Sequence, residues 1–130
     1  MISADQFKSR LEVLCLRGGG RGLPRKPRDR HILFKSIVLM LDPEKIYSET
    51  EINRGIETWL AEIGQTVEID HVTLRRHLVD EGYLKRDNTG ATYKVSTEEM
   101  SEVFDPAIDS LVPELIIVAA REHMERKKRD

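Results

Sequence analysis

The sequence predicts an α+β fold that is mostly α: a winged helix-turn-helix, three helices plus a two-stranded wing, with extra N- and C-terminal helices. Three segments carry apolar residues at helical spacing, the third of them is short, and its terminal glycine leads directly into two strand-like segments separated by a polar turn. We expect an N-terminal helix and glycine-rich linker over residues 1–22, the winged-helix domain over 23–95 and a C-terminal helical extension over 96–130.

The first predicted helix spans residues 4–16. Ser3 and Gln6 have the spacing of a capping box, in which each side chain bonds to the backbone of the other residue. Apolar residues then recur at helical spacing. The glycines at 18–20 should end the helix, because glycine loses more backbone freedom on helix formation than any other residue.

The next two helices are expected to build the core. Residues 28–41 are apolar over most of the helical surface, which is typical of a central helix. Pro43 limits this helix, because a residue that precedes proline is disfavoured in the helical conformation. Residues 49–63 follow a second capping box, at Ser48 and Glu51, and carry their apolar side chains along one stripe.

The fourth helix and the hairpin complete the predicted domain. Asp70 is a suitable N-cap for a helix over residues 71–81, and Gly82 is a suitable terminator. Residues 83–87 and 91–95 flank a polar, glycine-containing turn and should pair as a hairpin.

The segments that connect the predicted helices of the domain differ in character. Residues 45–47 are expected to be a short extended piece. The connection over 64–70 is longer than the three or four residues usual between the two helices of the motif, and this leaves the angle between them open.

The C-terminal extension is predicted to hold an early turn capped by Thr97 and a last helix that begins near Ser110. Four apolar residues of this helix fall at i, i+3, i+4 and i+7: Val112, Leu115, Ile116 and Ala119. Such a stripe is not expected to face water, so either the first helix or a second subunit should cover it.

Composition and charge exclude several classes of protein. A lone cysteine, Cys15, cannot form an intramolecular disulfide, and no apolar run is long enough for a membrane span, so we expect a cytoplasmic protein away from membranes. The net charge is only −2, but residues 17–30 hold six basic residues and one acid, whereas residues 96–120 hold six acids and neither Lys nor Arg. Any binding of a polyanion should therefore be local.

The fourth helix and hairpin also carry a family signature. The stretch from His71 to Tyr93, with its Thr-Leu-Arg-Arg and Gly-Tyr-Leu sequences, resembles the bacterial family catalogued as domain of unknown function 2087. Tyr47-Ser48-Glu49, Glu51-Ile52-Asn53 and Leu23-Pro24 resemble earlier landmarks of the same family. The resemblance covers about residues 23–95 and implies a relation to winged-helix transcriptional regulators. It supports the predicted fold more strongly than any particular function.

The leading functional hypothesis is a transcriptional-regulator-like protein that binds duplex DNA. In this fold the fourth helix enters the major groove, where arginine can read guanine and threonine can contact a phosphate or a thymine methyl. The candidate contacts are Thr73, Arg76 and His77 in the helix, Lys85, Arg86 and Lys94 in the wing, and Arg25, Lys26 and Arg28 in a basic arm. A homodimer is expected, because one short helix reads too few bases.

The alternative is a protein-interaction or dimerisation module on a winged-helix scaffold with no nucleic-acid binding. DNA binding requires one positive face that spans Arg76, the wing and the arm. We expect no enzyme, cofactor or metal. The four histidines are scattered and do not pair with Cys15 at ligand spacing, and no Gly-Lys-Ser/Thr sequence follows the glycine run.

The two adjacent arginines of the fourth helix are predicted to differ. At 100° per residue, Arg75 falls inside the apolar face and Arg76 falls at its edge, toward solvent. A guanidinium on the core side needs a partner, since an isolated buried charge is costly. We therefore expect Arg75 to form a structural ion pair, with Glu49, Glu51 or Asp80 as the available acids.

Overall fold

The fold is α+β and mostly helical, as the sequence predicts. A computed structural model describes residues 1–17, 22–96 and 102–129, so the glycines at 18–20 and Thr97 lie outside the described residues. The elements are α1 (Ala4–Leu16), α2 (Pro27–Val38), β1 (Tyr47–Ser48), α3 (Glu49–Glu62), α4 (His71–Asp80), β2 (Leu84–Arg86), β3 (Thr92–Val95), a 3₁₀ helix (Pro106–Ser110) and α5 (Pro113–Arg129). Within the described ranges, no helix is long and apolar enough to cross a membrane.

Both predicted capping boxes are confirmed. The Gln6 backbone N–H donates to Ser3 Oγ at 3.1 Å, and the Glu51 N–H donates to Ser48 Oγ at 3.1 Å. Lys45 Nζ lies 2.8 Å from a carboxylate oxygen of Glu51. The hydrogen bond from Lys45, with those from Ser48, lowers the pKa of Glu51 to about 2.

The β structure is larger than the predicted two-stranded wing. The three strands form an antiparallel sheet in the order β1-β3-β2, with Tyr47 opposite Tyr93 and Lys85 opposite Lys94. β1 has two residues, too few for an alternating pattern, so residues 45–47 indicated no partner. Pairing with β3 buries both tyrosines and fixes the hairpin to the helical core.

The core is centred on α2, and the Trp59 and Ser36 side chains within it are hydrogen-bonded. Trp59 Nε1 donates a hydrogen bond to Ser36 Oγ at 2.9 Å, and Ser36 Oγ donates to the Leu33 carbonyl at 2.6 Å. All three residues are fully buried. α2 ends at Val38 rather than at residue 41, because the bonds that follow span three residues, as in Leu41 N to the Val38 carbonyl at 3.1 Å.

The long connection between α3 and α4 is docked on α1. Thr66 Oγ1 donates to the carbonyls of Leu14 and Cys15 at 3.2 and 3.1 Å, which caps the end of α1. Val67 is buried in the core cluster. These contacts hold the connecting segment against α1 and the core.

Within the described residues, the predicted stripe of α5 is covered only in part. α5 packs against α1 with Ile117 fully buried, while Leu115 is 66% exposed and Val112 is 43% exposed. Residues 115–120 are all apolar, so spacing alone did not decide which face turns inward. The first helix, which was one of the two expected partners of the stripe, packs against the face of α5 that carries Ile117.

Candidate nucleic-acid interface

The N-terminus of α4 is fixed by its cap. Asp70 accepts hydrogen bonds from the Thr73 backbone N–H at 2.8 Å and from Thr73 Oγ1 at 2.9 Å. These hydrogen bonds, the backbone one first, lower the pKa of Asp70. The Thr73 hydroxyl is therefore already engaged in the cap, which stabilises the first turn of α4.

The outward face of α4 carries one cation and one anion. Leu74 and Leu78 are fully buried, while Arg76 and Asp80 are exposed. Asp80 follows Arg76 by four residues, so the two side chains share a face of the helix. A polyanion that approaches this face meets the guanidinium near the middle of α4 and the carboxylate at its C-terminal end.

His77, a candidate DNA contact, does not project into solvent from α4. Its ring stacks on Phe34 with centroids 6.4 Å apart and an interplanar angle of 20°, and the side chain is half-buried. Phe34 also contacts Tyr83 edge-on at 5.4 Å, and the Tyr83 hydroxyl lies 2.7 Å from His31 Nδ1. His77 thus belongs to an aromatic cluster that joins α4 to α2. The cluster buries a wider part of the surface of this short helix than its apolar stripe does alone.

Arg75 connects three elements. Its guanidinium donates to the side-chain oxygen of Asn53 in α3 and lies 3.3 Å from Glu49 Oε1. It also lies over the Tyr93 ring of β3, 5.5 Å from the centroid. The Arg75 side chain is only 12% exposed, whereas that of Glu49 is 56% exposed, so one end of this ion pair lies in the fold and the other in solvent.

The hairpin places a second arginine on the same ring. The Arg86 guanidinium is 5.9 Å from the centroid of Tyr93 and lies against Gly90. Arg75 and Arg86 therefore both lie against the ring of Tyr93, and Arg86 is exposed. Sequence reasoning missed Tyr93 as the residue that positions the hairpin, although the alternation of polar and apolar residues over Thr92–Val95 was a usable signal.

Two lysines face each other across the hairpin. Lys85 in β2 is directly opposite Lys94 in β3, so both side chains project from the same face of the sheet, and both are exposed. Like charges at directly opposed positions destabilise a hairpin. The arrangement places these two lysines on the sheet face opposite to that of Arg86 and Tyr93.

The basic arm lies beside α1 and not beside α4. The Arg30 guanidinium donates to the carbonyls of Pro24 and Arg25 at 3.1 and 2.7 Å, which holds the segment before α2. Lys26 and Arg28 line a groove of about 500 Å³ between α1 and α2, and no lining residue comes from α4 or the hairpin. Among the residues described, Arg25, Lys26 and Arg28 thus do not join Arg76 in this groove.

The same groove holds a buried carboxylate. Asp29 accepts two hydrogen bonds from the Arg10 guanidinium, at 2.8 and 3.0 Å, and the pair ties α1 to α2. The hydrogen bond from Arg10 lowers the pKa of Asp29 despite its burial. This acid offsets part of the positive charge of the arm.

A second cavity, of about 430 Å³, lies between α2, the end of β3 and the 3₁₀ helix. Apolar residues form most of its wall, and Lys35 Nζ lies 2.8 Å from Asp109 at its edge. Ser96 Oγ also lines it and has no hydrogen-bond partner among the described atoms. Over the searched part of the chain, no three His, Cys, Asp or Glu side chains are grouped to hold a metal ion.

Comparison with known proteins gives one match. Residues 21–95 match the model of a family described as "Uncharacterized protein conserved in bacteria (DUF2087)". No curated protein and no solved structure is significantly similar to the chain. The matched residues contain α2 through β3, and therefore all of the α4 and hairpin residues described above.

Proposed function

The chain belongs to the bacterial family DUF2087, and we propose that α2 through β3 form a winged helix-turn-helix that binds duplex DNA through α4 and the hairpin. The element order supports this proposal: helix, strand, two helices and a hairpin, with β1 paired to β3, the second strand of the hairpin and the central strand of the sheet. In that arrangement α4 holds the position of the recognition helix, and the hairpin is the wing.

The observation that carries the proposal is the junction at Tyr93. Arg75 and Arg86 both lie against this ring, so the hairpin is held next to α4 at the turn that presents Arg76. Arg76 is exposed and adjacent in sequence to the anchored Arg75. A duplex lying against α4 therefore meets cations from the helix and from the hairpin together.

Each cation has a role set by its position. Arg76 is the residue that reaches the major groove, where its guanidinium can bind guanine or a phosphate. Arg86, on the sheet face of Tyr93, contacts a phosphate beside the groove, and Lys85 and Lys94 contact phosphates from the opposite sheet face. The proposal gives no DNA contact to His77, which packs on Phe34, or to the basic arm, because Lys26 and Arg28 line a groove beside α1. The positive face that the proposal uses is therefore smaller than the expected one and spans only α4 and the hairpin.

The carboxylate of Asp80 limits the contact to one half of the helix. It lies one turn after Arg76 on the same exposed face and would repel a phosphate there. A duplex bound at Arg76 must then lie away from the C-terminal end of α4, in keeping with helix-turn-helix proteins, in which the N-terminal half of this helix leads into the groove.

The test is fluorescence anisotropy with a labelled random-sequence duplex at low and at moderate salt. Each phosphate contact changes the logarithmic salt slope by about −0.9, so three to four contacts predict a slope of roughly −3. No binding at low salt, or binding that salt does not weaken, would contradict the proposal. The first of these results would leave the alternative, a winged-helix module for protein interaction.

A further inference from the structure

The outward face of α5 is apolar and exposed over its first two turns. Leu115 is 66% exposed, Val118 is 47% exposed and Val112, just before the helix, is 43% exposed, and Ala119 lies between them. Single exposed apolar residues are common on protein surfaces, but these four lie within eight residues on one side of a helix. Contiguous patches of this kind mark interaction surfaces.

The spacing of this face fits a second helix. Val112, Leu115, Ala119, Glu122 and Arg126 are separated by three, four, three and four residues, which is the spacing of the contact positions in a coiled coil. The opposite side of α5 carries the fully buried Ile117 and packs on α1. α5 thus packs against one helix of its own chain, and its opposite face is suited to contact with a second helix.

The charges around α5 indicate what that other helix is. Residues 126–129 are four successive basic residues, whereas residues 102–114 hold four acids and no Lys or Arg. Two copies of α5 in parallel would bring eight cations together at one end. In the antiparallel arrangement each basic end lies toward the acidic segment of the other copy. The two helix dipoles then point in opposite directions, which is also favourable.

We propose that α5 pairs antiparallel with α5 of a second copy of this chain, about a two-fold axis near the apolar patch. Such an interface is isologous, so Leu115 and Val118 of both copies are buried together. Arg126 and Lys127 lie at the outer ends, over the partner's acidic segment. The proposal rests on residues outside the family match and does not depend on DNA binding.

Sedimentation velocity of the full chain tests the interface. The parent should sediment as a dimer, and Leu115→Glu should halve the mass, since a carboxylate cannot be buried against its own copy without a partner. Ile46→Glu is the matched control: Ile46 is 64% exposed and precedes β1, so this variant should stay dimeric. A monomeric parent, or a dimeric Leu115→Glu protein, would overturn the proposal.

Crosslinking tests the orientation without a disruptive substitution. Ala119→Cys should crosslink to itself with a short bismaleimide, whereas Lys127→Cys should not, because antiparallel pairing places the two 127 positions roughly 30 Å apart along the axis. The native Cys15 is buried, and burial raises its pKa to about 12, so it should not react. Crosslinking of Lys127→Cys, or none of Ala119→Cys, would contradict antiparallel pairing.

Discussion

Arg75 of α4 donates a hydrogen bond to the side-chain oxygen of Asn53 in α3, and the same guanidinium lies 3.3 Å from Glu49 Oε1. This contact joins the two helices whose connecting segment is unusually long. The next residue, Arg76, is exposed. Two adjacent arginines of one helix therefore occupy different environments, and this difference can be measured.

Arg75→Ala should lower the free energy of unfolding by about 1.5–3 kcal/mol, the range for hydrogen bonds to a charged group. A fully buried pair would cost more, but Glu49 is half in solvent, which screens its charge. Arg76→Ala should change stability by less than about 0.5 kcal/mol, as is usual for an exposed position. Urea denaturation of both variants checks this, and equal losses would refute the difference in roles.

Gly64→Ala should destabilise the protein by about 1–3 kcal/mol. A Cβ at Gly64 would overlap the ring of Trp59, which is fully buried and held by its hydrogen bond to Ser36. Thermal denaturation measures the loss.

Gly55→Ala is the matched control for Gly64→Ala. The Cβ at Gly55 would meet only Leu41 Cδ2, at 2.7 Å, and that side chain can turn away. Alanine also gains about 1 kcal/mol of helix propensity inside α3, so this variant should stay within about 1 kcal/mol of the parent. A stable Gly64→Ala protein would show that the ring of Trp59 can shift.

The features that sequence predicted best depend on neighbours in the chain. The two capping boxes join residues three apart, Ser3 with Gln6 and Ser48 with Glu51, so the pattern alone contains both partners. α4 likewise begins at the residue after the predicted cap, Asp70. Local hydrogen bonds therefore determine where these helices begin, independently of the tertiary structure.

The features that sequence missed depend on distant partners. β1 forms through Tyr47 meeting Tyr93, 46 residues later, and two residues carry no strand pattern of their own. His77 turns inward because Phe34 of α2 is there to stack on it. At the candidate site, sequence identified the exposed Arg76 and Arg86 but not Tyr93, the ring that brings the hairpin to α4.

The Arg10–Asp29 pair should make stability depend on pH. The hydrogen bond from Arg10 sets the folded pKa of Asp29 below its ordinary value of 3.8. Such a carboxylate contributes stability above its unfolded pKa, and that stability is lost as the pH falls through the folded pKa. Asp29→Asn should cost about 1–3 kcal/mol at neutral pH and progressively less below about pH 4.

Urea denaturation at a series of pH values measures this dependence. Asp80→Asn, at an exposed carboxylate, is the control and should follow the parent across the same range. A cost of Asp29→Asn that stays constant down to pH 3 would show that the pair does not titrate with folding.

Asp80→Asn should also strengthen DNA binding. The carboxylate shares a face with Arg76, so its removal eliminates a repulsion toward phosphate while the side chain keeps its size. We expect an affinity gain of a few-fold at low salt that shrinks as salt screens the interaction. Anisotropy titrations measure it, and an unchanged affinity would place the duplex away from this face of α4.

The most direct test of the DNA-binding proposal compares Arg76→Ala with Lys8→Ala in salt-dependent binding to a random-sequence duplex. Lys8 is exposed on α1, outside the proposed interface, so both variants lose one positive charge from the surface. Arg76→Ala should weaken binding and reduce the magnitude of the logarithmic salt slope by about one, whereas Lys8→Ala should bind like the parent. If the two variants are indistinguishable, or if the parent does not bind the duplex, α4 is not a DNA-binding helix.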